Sequence, residues 1–325
     1  RDSRLKIKKV GDLGTEAGKR VVAGGMVGDN FNGIISNSTV NSHLEIEDSN
    51  FGGDANSEIF AGILTGRNEG VIKSSEVFGS LAHVIAADDD QAFAPKVESY
   101  YGGAAGINLS TGTLKKLEVD SNIYTDVLLA WTSGPIAGKF AGLVAFNEGT
   151  IRDSLSYSIF EERPAFKTTW DNVKLAGLVS ENTGTVKRSF YAERYGTHGI
   201  PTPVPTNAFG TIQDDTGTAS DVYCFADNEF DFGGFPNGCL QLYEAARDFN
   251  FSLSGGGFEF TYDEDNNDDG ALDNEDVSGT PTSLTWDIST ESQGSNSTWI
   301  LEDPTQPPEL REFKQTIEDY IGPGF

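Results

Sequence analysis

Two stretches of this chain share one formula: Ala141–Ser154 reads AGLVAFNEGTIRDS and Ala176–Ser189 reads AGLVSENTGTVKRS. In each, small residues and two apolar residues precede an Asn-x-Gly turn. A threonine and a β-branched apolar residue follow the turn. Asparagine and glycine adopt left-handed backbone geometry readily, so the formula predicts a tight turn between two short strands. The polar–apolar–polar order of Thr150–Arg152 predicts that the second strand buries only one face.

The formula recurs upstream. The further copies are Gly24–Ser38 (GGMVGDNFNGIISNS), Ala61–Ser75 (AGILTGRNEGVIKSS) and Gly103–Val119 (GAAGINLSTGTLKKLEV), with a decayed sixth copy at Asp214–Cys224. A period of about 35–40 residues is typical of solenoids, in which each coil buries its apolar face only against its neighbours. Copy three fits least well, since Ala105 and Gly106 stand where Leu and Val are expected, and this predicts a distorted coil.

Stacked coils would bring equivalent turn residues into register. Asn30, Asn68, Asn147 and Asn182 would then lie above one another, where they could form a hydrogen-bonded ladder. The rival arrangement is a β-sandwich whose hairpins are alike by chance, but sandwich strands rarely repeat one turn formula at this period. We therefore predict an all-β protein in which residues 1–225 form a right-handed parallel β-solenoid, or β-helix.

The repeated segments resemble the GLUG repeat of bacterial surface and secreted proteins, which include adhesins and IgA-specific peptidases. The resemblance covers residues 23–225 and continues weakly to residue 313. Residues 285–313 are similar to the closing segment that follows such repeats, with matching positions at Trp286, Asp287, Trp299, Pro308 and Leu310. The resemblance implies an extracellular location and a solenoid architecture far more than an activity. We predict that residues 226–325 form a β-rich C-terminal cap, stabilised by calcium and a disulfide.

The segment Pro308–Ile321 has the spacing of a short amphipathic helix. Its apolar residues are separated by three or four positions, at Leu310, Phe313, Ile317 and Ile321. Such a terminal helix could cover the end of the solenoid and protect an unpaired strand edge.

Charge is distributed unevenly along the 325 residues. Residues 1–194 hold 20 basic and 25 acidic residues, whereas residues 195–325 hold 3 basic and 25 acidic residues, within a total of −27. This balance disfavours a nucleic-acid partner, because phosphate binding needs clustered Lys and Arg. No run of about 18 apolar residues occurs, so we expect no membrane insertion. The start at Arg1 rather than Met is consistent with a removed signal peptide or upstream domain.

The acidic half contains a candidate calcium loop, Tyr262–Val277, which reads YDEDNNDDGALDNEDV. Oxygen ligands would come from Asp265, Asn267, Asp269, the Ala271 carbonyl, Asp273 and Asp276. Ca²⁺ takes about 6–8 oxygens, and Gly270 permits the sharp turn at the sixth position. The loop resembles an EF-hand loop, in its dockerin version because Asp closes it. A disordered acidic linker is the alternative. Without an ion the carboxylates from Asp263 to Asp276 would repel one another, so we expect a structural Ca²⁺. A cohesin-type partner is the weaker expectation, because dockerins carry two such loops and only one is present.

Cys224 and Cys239 lie in a stretch rich in Gly, Pro and Asn. A disulfide between them would stabilise the fold by about 3 kcal/mol through loop constraint. Two buried reduced thiols are the alternative. A disulfide in a turn-rich, acidic chain suits an oxidising compartment.

Catalytic motifs are scarce. His43, His83 and His198 show no metal-ligand spacing, and neither a Gly-x-Ser-x-Gly elbow nor a P-loop occurs. A β-helical polysaccharide lyase or glycoside hydrolase is the alternative function. The bases for a lyase would be Arg152, Lys174, Lys187 and Arg188, which are otherwise explained as exposed positions that alternate with core residues.

Four aromatic residues between the repeats are candidate glycan contacts: Tyr100, Tyr101, Trp131 and Trp170. Partly buried edge aromatics are the alternative interpretation, and Trp286 and Trp299 are expected in the core of the cap. The sequence thus predicts a non-catalytic, secreted adhesin or surface scaffold. Its partner would be a glycan or cell-surface component, and it could self-associate end to end or laterally.

Overall fold

The computed structural model describes the chain over residues 2–8, 20–48, 58–85, 98–124, 138–161, 173–192, 209–227, 239–242, 249–254, 257–264, 277–278, 282–284, 286–290, 297–301 and 308–313. These segments are almost entirely β-strand, which confirms the all-β class. Two compact units divide the chain: residues 1–224 with 230–239, and residues 225–229 with 240–325.

The strands up to residue 242 range from 2 to 15 residues in length. They are β1 (Asp2–Lys8), β2 (Arg20–Gly24), β3 (Val27–Asn30), β4 (Ile34–Asp48), β5 (Glu58–Gly62), β6 (Thr65–Asn68), β7 (Val71–Ile85), β8 (Glu98–Gly102), β9 (Ala105–Asn108), β10 (Thr113–Tyr124), β11 (Gly138–Ala141), β12 (Val144–Asn147), β13 (Thr150–Arg152), β14 (Leu155–Ser156), β15 (Ile159–Glu161), β16 (Val173–Asn182), β17 (Thr185–Ala192), β18 (Phe209–Asp215), β19 (Thr218–Asp227) and β20 (Cys239–Leu242).

Each sequence repeat forms one level of a parallel stack. In the fourth level, β11 leads through a tight turn into β12, and the Asn-x-Gly turn leads from β12 into β13. One sheet, sheet A, runs in the order β1-β4-β7-β10-β13-β17-β19-β20. The other, sheet B, has two parallel columns, β2-β5-β8-β11 and β3-β6-β9-β12, which join at the continuous strand β16.

The levels repeat in the predicted register. Asn68 pairs with Asn30 and Asn108, and Asn147 pairs with Asn108 and Asn182, all between parallel strands. Five copies therefore stack with about four turns between the first and the fifth, and β18 continues the stack on β16. This confirms the parallel β-solenoid. It excludes the sandwich of antiparallel hairpins for residues 1–225 where the structure describes them.

The core of the solenoid consists of apolar columns. One column in sheet A has fully buried side chains at Ile72, Leu114, Ile151 and Val186. Neighbouring strands lie about 4.8 Å apart, so each of these side chains covers the one below it. Stacking buries the apolar surface of a coil against the coils above and below it. A single repeat has no such neighbours and could not bury this surface.

Copy three is shifted by one residue from the predicted alignment. Ala105 pairs with Val144, so Ala104 and Ala105 occupy the positions of Leu143 and Val144. The prediction that Ala105 and Gly106 fill those places is therefore wrong. The small pair is fully buried and keeps its parallel pairing to the levels on both sides. The third level is thus not distorted.

A column of left-handed residues marks a bend in sheet A. Asn37, Ser74, Lys116, Asp153 and Arg188 all have φ between 47° and 54°, and the residues before them share one register column. Asparagine and aspartate adopt this conformation readily, whereas for Ser74, Lys116 and Arg188 it costs about 1–2 kcal/mol each. The strand pattern of the sequence did not predict this bend.

The second unit contains short strands that differ in direction. They are β21 (Phe249–Ser254), β22 (Gly257–Glu264), β23 (Val277–Ser278), β24 (Thr282–Leu284), β25 (Ile288–Ser289), β26 (Trp299–Ile300) and β27 (Glu309–Leu310). β22 pairs antiparallel with β21, β23 and β24, and β26 lies between β25 and β27. The rings of Trp286 and Trp299 are both buried, with centroids 4.8 Å apart. This confirms these two tryptophans as core residues of the unit.

The predicted C-terminal helix is only partly described. Leu310 belongs to β27, which pairs antiparallel with β26, so the helix does not begin at Pro308. Helical geometry is present at residues 311–313, and Phe313 is buried there. Residues 314–321 lie outside the described residues. The strand forms because Leu310 pairs with Trp299 in the small sheet, an interaction that local periodicity does not reveal.

Candidate binding face

The predicted asparagine ladder is present and is longer than predicted. Each side-chain amide donates to the Oδ1 of the next level at 2.7–2.8 Å, in the order Asn30, Asn68, Asn108, Asn147, Asn182 and Asp215. Sequence reasoning missed Asn108 and Asp215. The turn after Asn108 is two residues longer than in copy four, and Asp215 replaces asparagine in the decayed copy.

The ladder explains the Asn-x-Gly formula. The Nδ2 of Asn147 also donates to the Gly149 carbonyl at 3.4 Å, so one amide joins its own turn to the next level. A Cβ at Gly112 would lie 2.2 Å from the Asn108 Oδ1, so a side chain there would collide with the ladder. The ladder is buried from Asn30 to Asn182, and its role is structural.

The ladder ends beside a cavity. Asp215 can accept the Asn182 amide but, as a carboxylate, cannot donate to a further level. A cavity of about 450 Å³ opens here, lined by residues that include Thr211, Ile212, Ser220 and Val222. Every side-chain amide in the ladder therefore donates toward this sixth level, where Asp215 is the last acceptor.

The outer surface of sheet A carries a column of basic residues, here called the basic column: Lys73, Lys115, Arg152 and Lys187. These residues are direct cross-strand partners on four successive levels. Three of the side chains are exposed, and that of Lys115 is partly exposed. The residue before each is apolar and fully buried, so the cations lie on the outer surface by strand alternation.

A hydroxyl column lies beside the basic column. Thr113, Thr150 and Thr185 are cross-strand partners two residues before Lys115, Arg152 and Lys187. All three threonines are partly exposed. Each of these levels therefore presents a threonine and a cation on one surface, separated by a buried residue.

Like charges in such a column repel. Neighbouring strands lie about 4.8 Å apart, and two unit charges at that separation would repel by about 1 kcal/mol even in water. Directly opposed like charges weaken a sheet. Among the residues that the structure describes, no carboxylate pairs with Lys73, Arg152 or Lys187. The charges of these three residues are thus not compensated by a described carboxylate, in a chain of net charge −27.

The four candidate lyase bases do not form one group. Arg152 and Lys187 are neighbours in the basic column, whereas Lys174 lies in β16 of sheet B. Arg188 makes a bidentate pair with the buried Asp153, from Nε to Oδ1 at 2.6 Å and from Nη2 to Oδ2 at 3.0 Å. Arg188 therefore fixes neighbouring levels, and its charge is compensated.

Tyr100 and Tyr101 are buried. Tyr101 has no exposed surface and stacks on Phe140 with ring centroids 5.0 Å apart. Tyr100 is 5% exposed and packs against Phe60. Neither ring is open to a sugar, and both are more deeply buried than partly buried edge aromatics would be, so the binding face does not include them. Trp131 and Trp170 lie outside the described residues.

Tyr100 instead belongs to a cluster around Lys139 on sheet B. The Lys139 ammonium lies 4.6 Å from the Tyr100 ring centroid and pairs with Glu181 at 2.5 Å. Its Nζ also donates to the Tyr100 hydroxyl at 3.3 Å. This lysine is satisfied by the protein itself, which distinguishes it from the exposed cations of sheet A.

The predicted calcium ligands, residues 265–276, lie outside the described residues. Elsewhere in the described segments, no group of three or more His, Cys, Asp or Glu side chains is arranged to hold a metal ion. Cys224 and Cys239 lie in β19 and β20, which are neighbours in sheet A, but their side chains are also outside the described part. The calcium site and the disulfide stay predictions.

Comparison with known proteins yields no relative: no family model, curated protein or solved structure matches the chain. The resemblance to the GLUG repeat therefore rests on the quoted residues alone. No helix within the described segments is long and apolar enough to cross a membrane.

Proposed function

We propose that this chain is an extracellular, non-catalytic adhesin or surface scaffold that binds a glycan or another cell-surface component through the outer surface of sheet A. One observation carries the proposal: the parallel stack aligns exposed side chains into the basic and hydroxyl columns. Hydroxyl and cationic groups repeated at one spacing suit a partner that is itself repetitive. The resemblance to GLUG repeats supports the location at a cell surface, and structural calcium in the second unit belongs to the same proposal.

A glycan array tests this function. The full chain is applied with calcium and with a chelator, and bound protein is detected for each sugar class. We expect binding to a defined set of glycans, with a loss in chelator if calcium organises the second unit. Adhesion of coated beads to cells, competed by the soluble chain, provides an independent measurement. Absence of binding in both assays would refute the adhesin proposal.

Self-association forms part of the scaffold proposal. Met26, Phe31 and Ile34 of the first level have 50%, 67% and 70% of their surface exposed. Among the described strands, β2 and β3 are the first members of the two columns of sheet B, and strand edges without a partner are templates for pairing with another chain. We expect a concentration-dependent dimer in sedimentation velocity and its loss in the M26S/F31S/I34S variant. A wild-type monomer at every concentration would contradict end-to-end association.

A further inference from the structure

We propose that the basic column binds acidic polysaccharides, with their carboxylate or sulfate groups lying along Lys73, Lys115, Arg152 and Lys187. This inference rests on the proposed glycan-binding function and specifies its ligand class. A row of cations on successive levels is costly in isolation, and a row of anions would relieve the repulsion. Because the strand register aligns these cations, the ligand is expected to be negatively charged.

The spacing favours a polysaccharide over a nucleic acid. The basic column offers one cation per level, about every 4.8 Å. Duplex DNA carries one phosphate charge per about 1.7 Å of its axis, and each strand one per about 3.4 Å. A nucleic acid would therefore leave many phosphates without a cation beside an acidic protein of net charge −27. A polymer with one charge per sugar or per disaccharide has a lower charge density.

The neighbouring threonines fit a sugar. Thr113, Thr150 and Thr185 present hydroxyl groups beside three of the cations, and a hydroxyl can both donate to and accept from a sugar hydroxyl. Nonspecific binding of single-stranded nucleic acid uses aromatic side chains on which bases stack. The basic and hydroxyl columns contain no aromatic residue. The surface thus combines ionic and hydroxyl contacts without a stacking platform.

The test uses the full chain and four immobilised probes: polygalacturonate for carboxylate, dextran sulfate for sulfate, uncharged dextran, and duplex DNA. We expect binding to at least one acidic glycan that weakens as salt is raised. The R152Q/K187Q variant should bind about tenfold more weakly, since two exposed ionic contacts are lost. R152K/K187R, which keeps both charges, should retain binding.

The matched control is R20Q/R67Q, which also removes two positive charges but on sheet B. It should stay within about twofold of wild type, because net charge changes equally while Arg20 and Arg67 lie on another surface and already pair with Glu58 and Asp29. Equal weakening in both variants, unchanged binding in R152Q/K187Q, or tighter binding to DNA than to either acidic glycan would overturn the inference. Binding to neutral glycans alone would also overturn it and leave the adhesin proposal standing. Circular dichroism verifies that each variant is folded.

Discussion

The side-chain amide of Asn147 donates to the Oδ1 of Asn182 at 2.7 Å, although the two residues are 35 positions apart in sequence. The same amide group accepts from Asn108 through its own Oδ1 at 2.7 Å. Each internal asparagine therefore joins its own level to the levels on both sides. Since the ladder is buried, its hydrogen bonds have no water to replace them.

Removing an internal asparagine should cost more than removing a terminal one. Asn147→Ala leaves a donor on Asn108 and an acceptor on Asn182 without their partners, at about 1–3 kcal/mol each. Asn30→Ala at the start of the ladder removes one such bond and is the matched control. Unfolding in guanidinium, followed by circular dichroism, measures both. Equal losses would show that the ladder carries little of the stability.

Gly142 should tolerate no side chain. A Cβ at Gly142 would lie 2.2 Å from the Gly177 carbonyl oxygen and 2.3 Å from the Ser156 Oγ. We expect Gly142→Ala to destabilise the solenoid by about 1–3 kcal/mol through overpacking. Gly28→Ala is the control, because its Cβ would come no closer than 3.2 Å to the Val22 carbonyl oxygen. Comparable unfolding midpoints for the two variants would contradict the close packing at Gly142.

The left-handed backbone conformation at position 37 should favour asparagine or glycine over alanine. Asn37 has φ 50° and an exposed side chain. Alanine disfavours this conformation by about 1–2 kcal/mol, whereas glycine adopts it freely. Asn37→Ala should therefore lower the free energy of unfolding, and Asn37→Gly should leave it nearly unchanged. Ser36→Ala in the preceding strand position is the control. An Asn37→Ala protein as stable as the glycine variant would argue against the bend.

Calcium should stabilise the second unit. Binding to the loop at 265–276 would add about 2.7 kcal/mol at a free calcium concentration of 100 Kd. Asp276→Asn removes the closing carboxylate, and Glu275→Gln changes the same charge at a position without a ligand role. Isothermal titration calorimetry and thermal unfolding with and without chelator give the comparison. A titration without heat, together with an unchanged unfolding temperature, would exclude the site.

The pair Cys224 and Cys239 should form a disulfide in exported protein. We expect no free thiol in the denatured, unreduced chain and two thiols after reduction. The C224S/C239S variant should lose about 3 kcal/mol of stability by loop-entropy estimates. Thiol titration and denaturant unfolding measure these quantities. Two thiols detected before reduction would contradict the bond.

The repeat formula alone predicted the solenoid, because each part of it has a local physical cause. Asn147 and Gly149 form a turn, and Thr150–Arg152 alternates as a strand with one buried face. A period of turn, strand and turn can bury its apolar side chains only by stacking on copies of itself. The register of the asparagines followed from the same reasoning, whereas the burial of Trp286 and Trp299 was expected from the resemblance of residues 285–313 to a closing segment.

Only the tertiary structure placed side chains relative to other levels. Tyr101 and Lys187 both lie in strands. The Tyr101 ring is buried against Phe140, whereas the Lys187 side chain is exposed beside other cations. Leu310 joined a strand rather than a helix because its partner is Trp299, which lies eleven residues away. The basic column likewise requires the alignment of Lys115 with Arg152 across 37 residues. Turns and strands follow from local sequence, and the shared formula aligns the asparagines. The burial and partners of the other side chains depend on contacts between levels, which only the folded stack provides.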